Sequence, residues 1–339
     1  MITIKEIARQ LEVSTTTVSN VIHGKTKEVS PDTIQKVQKF LEEVEYVPNI
    51  NARNLAQNES KIIGIVLKSR QDRYISLLQD PFVCEMLSGM ESAIREAGYF
   101  MMIYMSDDIA EIISHISTWN VDGILLFCML DDDGIRVTEK YHKPIVFMDT
   151  YAEDVLQEYV NIGLDDEKGA YDAVRYLIDC GHKKIAFLSD NKIEVDLQRF
   201  RGYRRALKEG GIEYSDKNFL MLHTEAEEID RSFLRIAKKL SAFTAVFCCS
   251  DLFAIQLMDI LQDQGIRVPE DISVIGFDDN LFGKLHRPAL TTIHQDAEYR
   301  GRTAALTLID LIKGIQPKSM QTVMKPYLVI RDTVKKLKE

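Results

Sequence analysis

Nowhere in the 339 residues does an apolar run approach the roughly 20 residues that a membrane-spanning helix needs. The opening Met1-Ile2-Thr3-Ile4-Lys5-Glu6 lacks the basic and apolar blocks of a secretory signal. Cysteine is scarce and odd in number. Cys84, Cys128, Cys180, Cys248 and Cys249, four of them in strongly apolar surroundings, read as reduced core thiols of a cytoplasmic protein, not as a disulfide framework. The seven histidines never fall at metal-ligand spacing, so neither a metal nor another cofactor is expected. Neither GxGxxG nor GxSxG follows a strand-like run, which removes the phosphate loop and the nucleophile elbow that an enzyme on a doubly wound fold would carry. Basic excess is missing too. The 42 Lys and Arg stand against 52 Asp and Glu, a net charge of −10, which excludes a surface that coats nucleic acid indiscriminately. What remains is a chain with 45% hydrophobic residues, enough to bury the cores of two or three domains.

The first sixty residues carry the sharpest pattern. Thr3 and Glu6 are spaced as a capping box, after which Ile4, Ile7, Ala8 and Leu11 recur at helical intervals. Val13-Ser14 breaks that run, and Ser14 can cap a second helix with Val18, Val21 and Ile22 inward. Its outward side shows Thr15, Thr16, Ser19 and Asn20, short hydrogen-bonding groups where an ordinary surface helix carries Glu and Lys. Ser30-Pro31 starts a third helix, with Ile34, Val37, Leu41 and Val44 inward. Two short helices joined by a tight turn describe a helix-turn-helix DNA reader. Residues 1–60 hold seven Lys/Arg and eight Asp/Glu. Lys25, Lys27, Lys36 and Lys39 lie near the second helix and Glu42, Glu43 and Glu45 at the far end of the third, so this part is polarised, not basic.

Beyond Ser60 apolar strands alternate with helices. Runs at 61–67, 99–105, 121–127 and 144–149 form one series, with a helix from Phe82 to Ala97. A second series runs through a helix at 167–180, a strand at 185–188, a helix at 198–209, a strand at 245–248, a helix at 251–264 and a strand at 272–276. Continuous apolar strands separated by helices indicate two parallel, doubly wound sheets, whose ligands bind beyond the carboxyl ends of the strands. Asp149, Ser250, Asp251 and Asp278 stand at such ends, Arg199 at the start of the 198–209 helix and Phe82 at the start of the first core helix. One guanidinium with several carboxylates suits a hydroxyl-rich ligand, because carboxylates accept from hydroxyls and Arg donates a fork. No aromatic pair near Thr150 or Thr224 offers to sandwich a flat base.

Ser14-Thr15-Thr16-Thr17-Val18-Ser19-Asn20-Val21-Ile22 followed by Tyr46-Val47-Pro48-Asn49 resembles the headpiece of the LacI/GalR (lactose-repressor-type) bacterial transcription regulators. The resemblance continues through Val121-Asp122-Gly123, Gly181-His182-Lys183-Lys184-Ile185-Ala186, the block from Arg201 to Leu207 and the block from Val268 to Asp279. It implies an all-α helix-turn-helix headpiece (1–48), a hinge (49–60) and an α/β two-lobed periplasmic-binding-protein-like core. The first lobe would take 61–160 plus 291–322, the second 161–290 plus 323–339, with crossings near 161, 290 and 323. It also implies Thr15, Thr16 and Asn20 at base edges, and Thr17 and Lys25 at phosphate. Ala52 and Arg53 would lie in the minor groove, and Leu55 would wedge into a base step. Phe82, Asp149, Arg199, Ser250 and Asp278 would form an effector site. A homodimer is expected, through Glu85, Met86, Gly89 and Met90 with Leu252, Ile255 and Gln256.

The expected function is that of a repressor, not an enzyme. It would bind near-palindromic double-stranded operator DNA under the control of an effector, a sugar or sugar derivative. The alternatives are a nucleoside or purine corepressor, a protein partner or, in another class, a solute-binding protein, which would need a signal sequence and no headpiece.

Overall fold

The computed structural model describes residues 2–22, 24–46, 59–69, 76–127, 129, 131–151 and 159–337. It divides into two units, Met1–Ser60 and Lys61–Glu339. Ala52, Arg53, Leu55 and Cys128 lie outside the described residues.

In the first unit, α1 (Ile4–Leu11) begins at the reciprocal cap formed by Thr3 and Glu6. The Glu6 N–H donates to Thr3 Oγ1 at 3.3 Å and the Thr3 N–H donates to the Glu6 carboxylate at 2.8 Å. It stops where Glu12 turns left-handed. Ser14 accepts from the Thr17 N–H at 3.0 Å and so opens α2 (Thr15–Ile22). Ser30 and Pro31 open α3 (Pro31–Glu43). Ile7, Ala8, Leu11, Val18, Val21 and Val37 form the shared core.

The second unit has two lobes. The first is a six-stranded parallel sheet in the order β11-β5-β4-β3-β1-β2, made of β1 (Ile62–Lys68), β2 (Phe100–Ser106), β3 (Gly123–Phe127), β4 (Ile145–Met148), β5 (Asn161–Leu164) and β11 (Gln321–Met324). The helices of this lobe are α4 (Pro81–Glu96), α5 (Ile109–Thr118), α6 (Asp131–Lys140) and α12 (Ala297–Ile312). The second lobe is a four-stranded parallel sheet in the order β7-β6-β8-β9, from β6 (Ile185–Ser189), β7 (Phe219–Met221), β8 (Ala245–Cys248) and β9 (Ser273–Ile275). It carries α7 (Asp166–Asp179), α8 (Glu194–Glu209), α9 (Ile229–Lys239), α10 (Asp251–Asp263) and the short α11 (Leu281–Leu285). An antiparallel ribbon of β10 (Thr292–His294) and β12 (Tyr327–Val329) lies where the chain passes between lobes.

Because β5 hydrogen-bonds inside the first sheet, the chain stays in that lobe through Leu164, a few residues past the 161 near which a crossing is expected. Helix α8 starts at Glu194, which puts Arg199 in its second turn instead of at its start.

Helices α4 and α12 touch through glycine. A Cβ on Gly89 would lie 1.9 Å from the Glu298 carbonyl oxygen, and one on Gly301 would lie 2.1 Å from that of Met86. This contact corrects the expected dimer face, since Met86 and Met90, each 1% exposed, and Gly89 are turned into the lobe itself. The thiols also divide differently from expectation. Cys248 and Cys249 are buried, Cys180 is half-buried and Cys84 is exposed.

Candidate ligand cavity and nucleic-acid interface

A cavity of about 360 Å³ opens between the two lobes of the second unit. Phe82, Asp149, Arg199, Ser250 and Asp278 all line it. Each arrives there through local chain geometry. Asp149 directly follows β4 and Asp278 follows β9, both at positive φ (54° and 130°), conformations that L-residues adopt only where surrounding contacts hold them. Ser250 is the N-cap of α10, its hydroxyl accepting from the Phe253 N–H at 3.3 Å. Phe82 is the second residue of α4 and packs on Phe127, ring centroids 6.2 Å apart and planes at 42°.

Behind these groups sits a layer of partners that sequence reasoning missed. Arg199 donates from Nε to Asp166 at 2.8 Å, also donates to the Cys249 carbonyl, and lies 3.7 Å over the Phe277 ring. Tyr151 donates to the second Asp166 oxygen at 2.7 Å. Burial works against the Arg199 cation, but Asp166 and Asp278 outweigh it and hold the guanidinium pKa above its ordinary value. Burial pushes the Asp166 and Asp278 carboxyls up, with Arg199 opposing in both cases.

Asp149 is held from behind by Arg300, which also donates to the Gln295 amide oxygen; Gln295 in turn donates to Asp278 at 2.6 Å. Arg300 is only 1% exposed. It was legible in principle, because Ala297, Ala304 and Leu308 mark a buried stripe of α12 on which position 300 falls. An arginine there needs a buried acceptor. Asp166 gave no such signal, since an acid in a helix's first turn is ordinary.

Asp251 is fully buried but faces another way. It accepts from the Thr292 hydroxyl at 2.5 Å and from the Asn280 N–H at 3.0 Å, tying α10 to the ribbon, and burial pushes its carboxyl up to about 7. Asp190, Asp196 and Cys249 bring their ligand atoms within 4.8 Å of one another at the cavity wall. The Asn191 amide donates to both carboxylates there, at 2.8 and 2.6 Å.

In the first unit, Thr15 and Thr16 are exposed on the opening turn of α2, Asn20 is half-buried and Lys25 is exposed. The Thr17 hydroxyl lies 2.8 Å from Ser14 Oγ, so it shares a local bond. Lys36 donates to the Leu11 carbonyl at 2.9 Å and closes the end of α1, and Lys39 lies 3.9 Å from the Glu43 carboxylate.

Residues 3–49 match the family of bacterial regulatory proteins, lacI family, and residues 174–334 match a periplasmic binding protein-like domain. The chain is 36% identical over 349 residues to the HTH-type transcriptional repressor PurR of Vibrio vulnificus (strain CMCP6), covering 99% of this chain and 100% of that one. It is 32% identical over 343 residues to the ribose operon repressor of Haemophilus influenzae, covering 100% of both. The solved structure of the lac repressor dimer bound to operator and the anti-inducer ONPF matches with a TM-score of 0.85 at 25% identity, over 98% of this chain and 99% of that chain. A complex of the transcriptional regulator CelR with cellobiose matches with a TM-score of 0.72 at 26% identity, over 98% and 100%. These relatives are transcriptional repressors and regulators.

Proposed function

This chain belongs to the lacI family of bacterial regulatory proteins, and from that premise we propose how it works. It is a sequence-specific DNA-binding transcription regulator whose hold on DNA answers to a small-molecule effector. Our reading is a cytoplasmic, non-catalytic repressor that binds a near-palindromic operator as a homodimer. In it, the headpiece (1–48) reads the major groove with Thr15, Thr16 and Asn20, while Thr17 and Lys25 take phosphates. The hinge (49–60) sets Ala52 and Arg53 in the minor groove and wedges Leu55 into a base step. An exposed apolar strip on α11, where Leu281, Phe282 and Leu285 are 54%, 55% and 62% exposed, supports a surface for a second copy.

The observation that carries the effector reading is the convergence of Asp149 from the first lobe with Arg199, Ser250 and Asp278 from the second on one cavity. A ligand there touches both lobes, so its binding energy can bias their relative position; a coupling of about 1–3 kcal/mol makes a useful switch. Carboxylate acceptors beside a guanidinium and a phenylalanine face suit a sugar or sugar derivative. The names of two relatives, a ribose operon repressor and a regulator complexed with cellobiose, support that class. Phe82 and Phe127 are tilted on each other, not parallel around a slot, which disfavours a flat base. A purine or nucleoside corepressor is the second reading, favoured by the three rings of Phe82, Phe127 and Phe253 in the lining.

A thermal-shift screen against sugars, nucleosides and purines tests this. Ligands specific for the native state stabilise it by about 2.7 kcal/mol at a hundredfold excess over Kd. A sugar that stabilises the wild type but neither Arg199→Ala nor Asp278→Ala supports the reading. A purine hit replaces the ligand class, and a shift retained in both variants moves the site elsewhere.

A further inference from the structure

Three helix N-termini lie at the cavity: residues at or next to the first turns of α4 (Asp80, Phe82), α8 (Glu194, Asp196) and α10 (Ser250, Leu252) line it. A helix N-terminus is ordinarily a place for a phosphate or carboxylate, because its N–H groups lack partners and its dipole favours negative charge. Here a carboxylate of this chain accepts from a first-turn N–H at two of them, and the third, α8, has two acids in its first turn. Asp80 accepts from the Phe82 N–H at 3.0 Å and caps α4. Glu194 and Asp196 sit in the first turn of α8. Asp278 accepts from the Asp251 N–H at 3.3 Å at the start of α10. With Asp149, five carboxylates line the cavity, against two cations, Lys68 and Arg199. Both cations are already matched, Lys68 by Asp133 and Arg199 by Asp166. Arg300, behind the wall, is matched by Asp149.

We propose that the effector is a non-anionic donor, a free polyol or amino sugar, and that the cavity rejects phosphorylated and carboxylated forms of the same skeleton. The inference rests on the reading of this cavity as the effector site. Two of the helix termini already hold an internal carboxylate, the third has two acids in its first turn and both lining cations are paired, so an entering phosphate meets mainly acceptors where it needs donors. Hydroxyl and ammonium hydrogens, by contrast, find Asp149, Asp196 and Asp278 from three directions. In a cavity lined mainly by one sign of charge the field is focused and reinforces the same choice.

The experiment is titration calorimetry of the full-length protein with matched sets: ribose with ribose 5-phosphate, and glucose with glucosamine and glucose 6-phosphate. In whichever set binds, the phosphate form binds at least roughly tenfold more weakly than the free sugar and the amine form binds at least as well, with the gap narrowing as salt is raised because the cause is charge. Asp196→Asn shrinks the gap in the same titration. A phosphate form that binds as tightly as its free sugar overturns the proposal while leaving the effector site in place. So does a gap indifferent to both salt and Asp196→Asn, which assigns the rejection to shape. Failure of all five sugars, with a nucleoside or purine stabilising the protein instead, overturns the sugar reading and the proposal with it.

Discussion

Asp149 and Asp278 face one cavity from opposite lobes and are joined behind it by two buried side chains, Arg300 donating to Asp149 and to Gln295, and Gln295 donating to Asp278. Removing one partner of a buried ion pair leaves the other charge uncompensated, which typically costs about 3–5 kcal/mol. Arg300→Met is therefore expected to lower unfolding stability by that order in urea titrations. Combined with Asp149→Asn it should cost clearly less than the two single losses added. Strict additivity would show that the pair is not coupled. Arg300→Lys keeps the charge but not the two-pronged donor, so it should recover only part of the loss.

Base contacts and phosphate contacts should separate in the headpiece. Thr16→Ala, at an exposed position on the first turn of α2, is expected to cost about 1–3 kcal/mol on the best operator and to relax preference at one base pair. Lys25→Ala should instead weaken all DNA evenly and reduce the salt slope by about 1 per headpiece. Anisotropy titrations over a salt series distinguish them; identical profiles would remove Thr16 from the base edges.

The α4–α12 contact predicts intolerance at one atom. Gly89→Ala would put its methyl 1.9 Å from the Glu298 carbonyl, backbone against backbone. The helices must part, and a loss of about 1–3 kcal/mol or more is expected in thermal or urea unfolding. A neutral effect would mean that this pair is looser than described.

Asp251 makes stability fall as pH rises. Its folded carboxyl is pushed up to about 7 from an ordinary 3.8, so the folded state holds a proton that the unfolded chain has released. That contribution is fully present below about pH 4 and is lost as pH climbs through 7. Measured against Asp251→Asn, which mimics the protonated form, the wild type should lose melting temperature steadily between those limits. Parallel curves for the two proteins would contradict this.

The headpiece was legible because its signals are local: the capping pair Thr3 and Glu6, the Ser14 and Ser30 caps and the spacing of Ile7, Leu11, Val18 and Val37 act within one or two turns. The two sheets were legible because a strand buried on both faces must be apolar throughout. Short elements were not. Strand β5 has only four residues, Asn161–Leu164, and one of them is the buried polar Asn161, whose amide bonds back to Thr150. The cavity's front rank could be read from strand ends. Of its rear rank, Arg300 shows in the sequence only as a buried arginine in need of an acceptor and Asp166 not at all, because their partners lie 151 and 33 positions away.

The central claim is that one protein both reads DNA and lets a small molecule change that reading. The most direct measurement enriches duplexes from a random pool on the purified protein, then titrates the enriched sequence with and without the compound found by thermal shift. A near-palindromic site should emerge, bound by two copies, with its affinity changed about 5–150-fold by the compound, the range that a coupling of 1–3 kcal/mol gives. The shift should vanish in Arg199→Ala while operator binding persists. No enriched site, or a site whose affinity the bound compound leaves unaltered, would contradict the account.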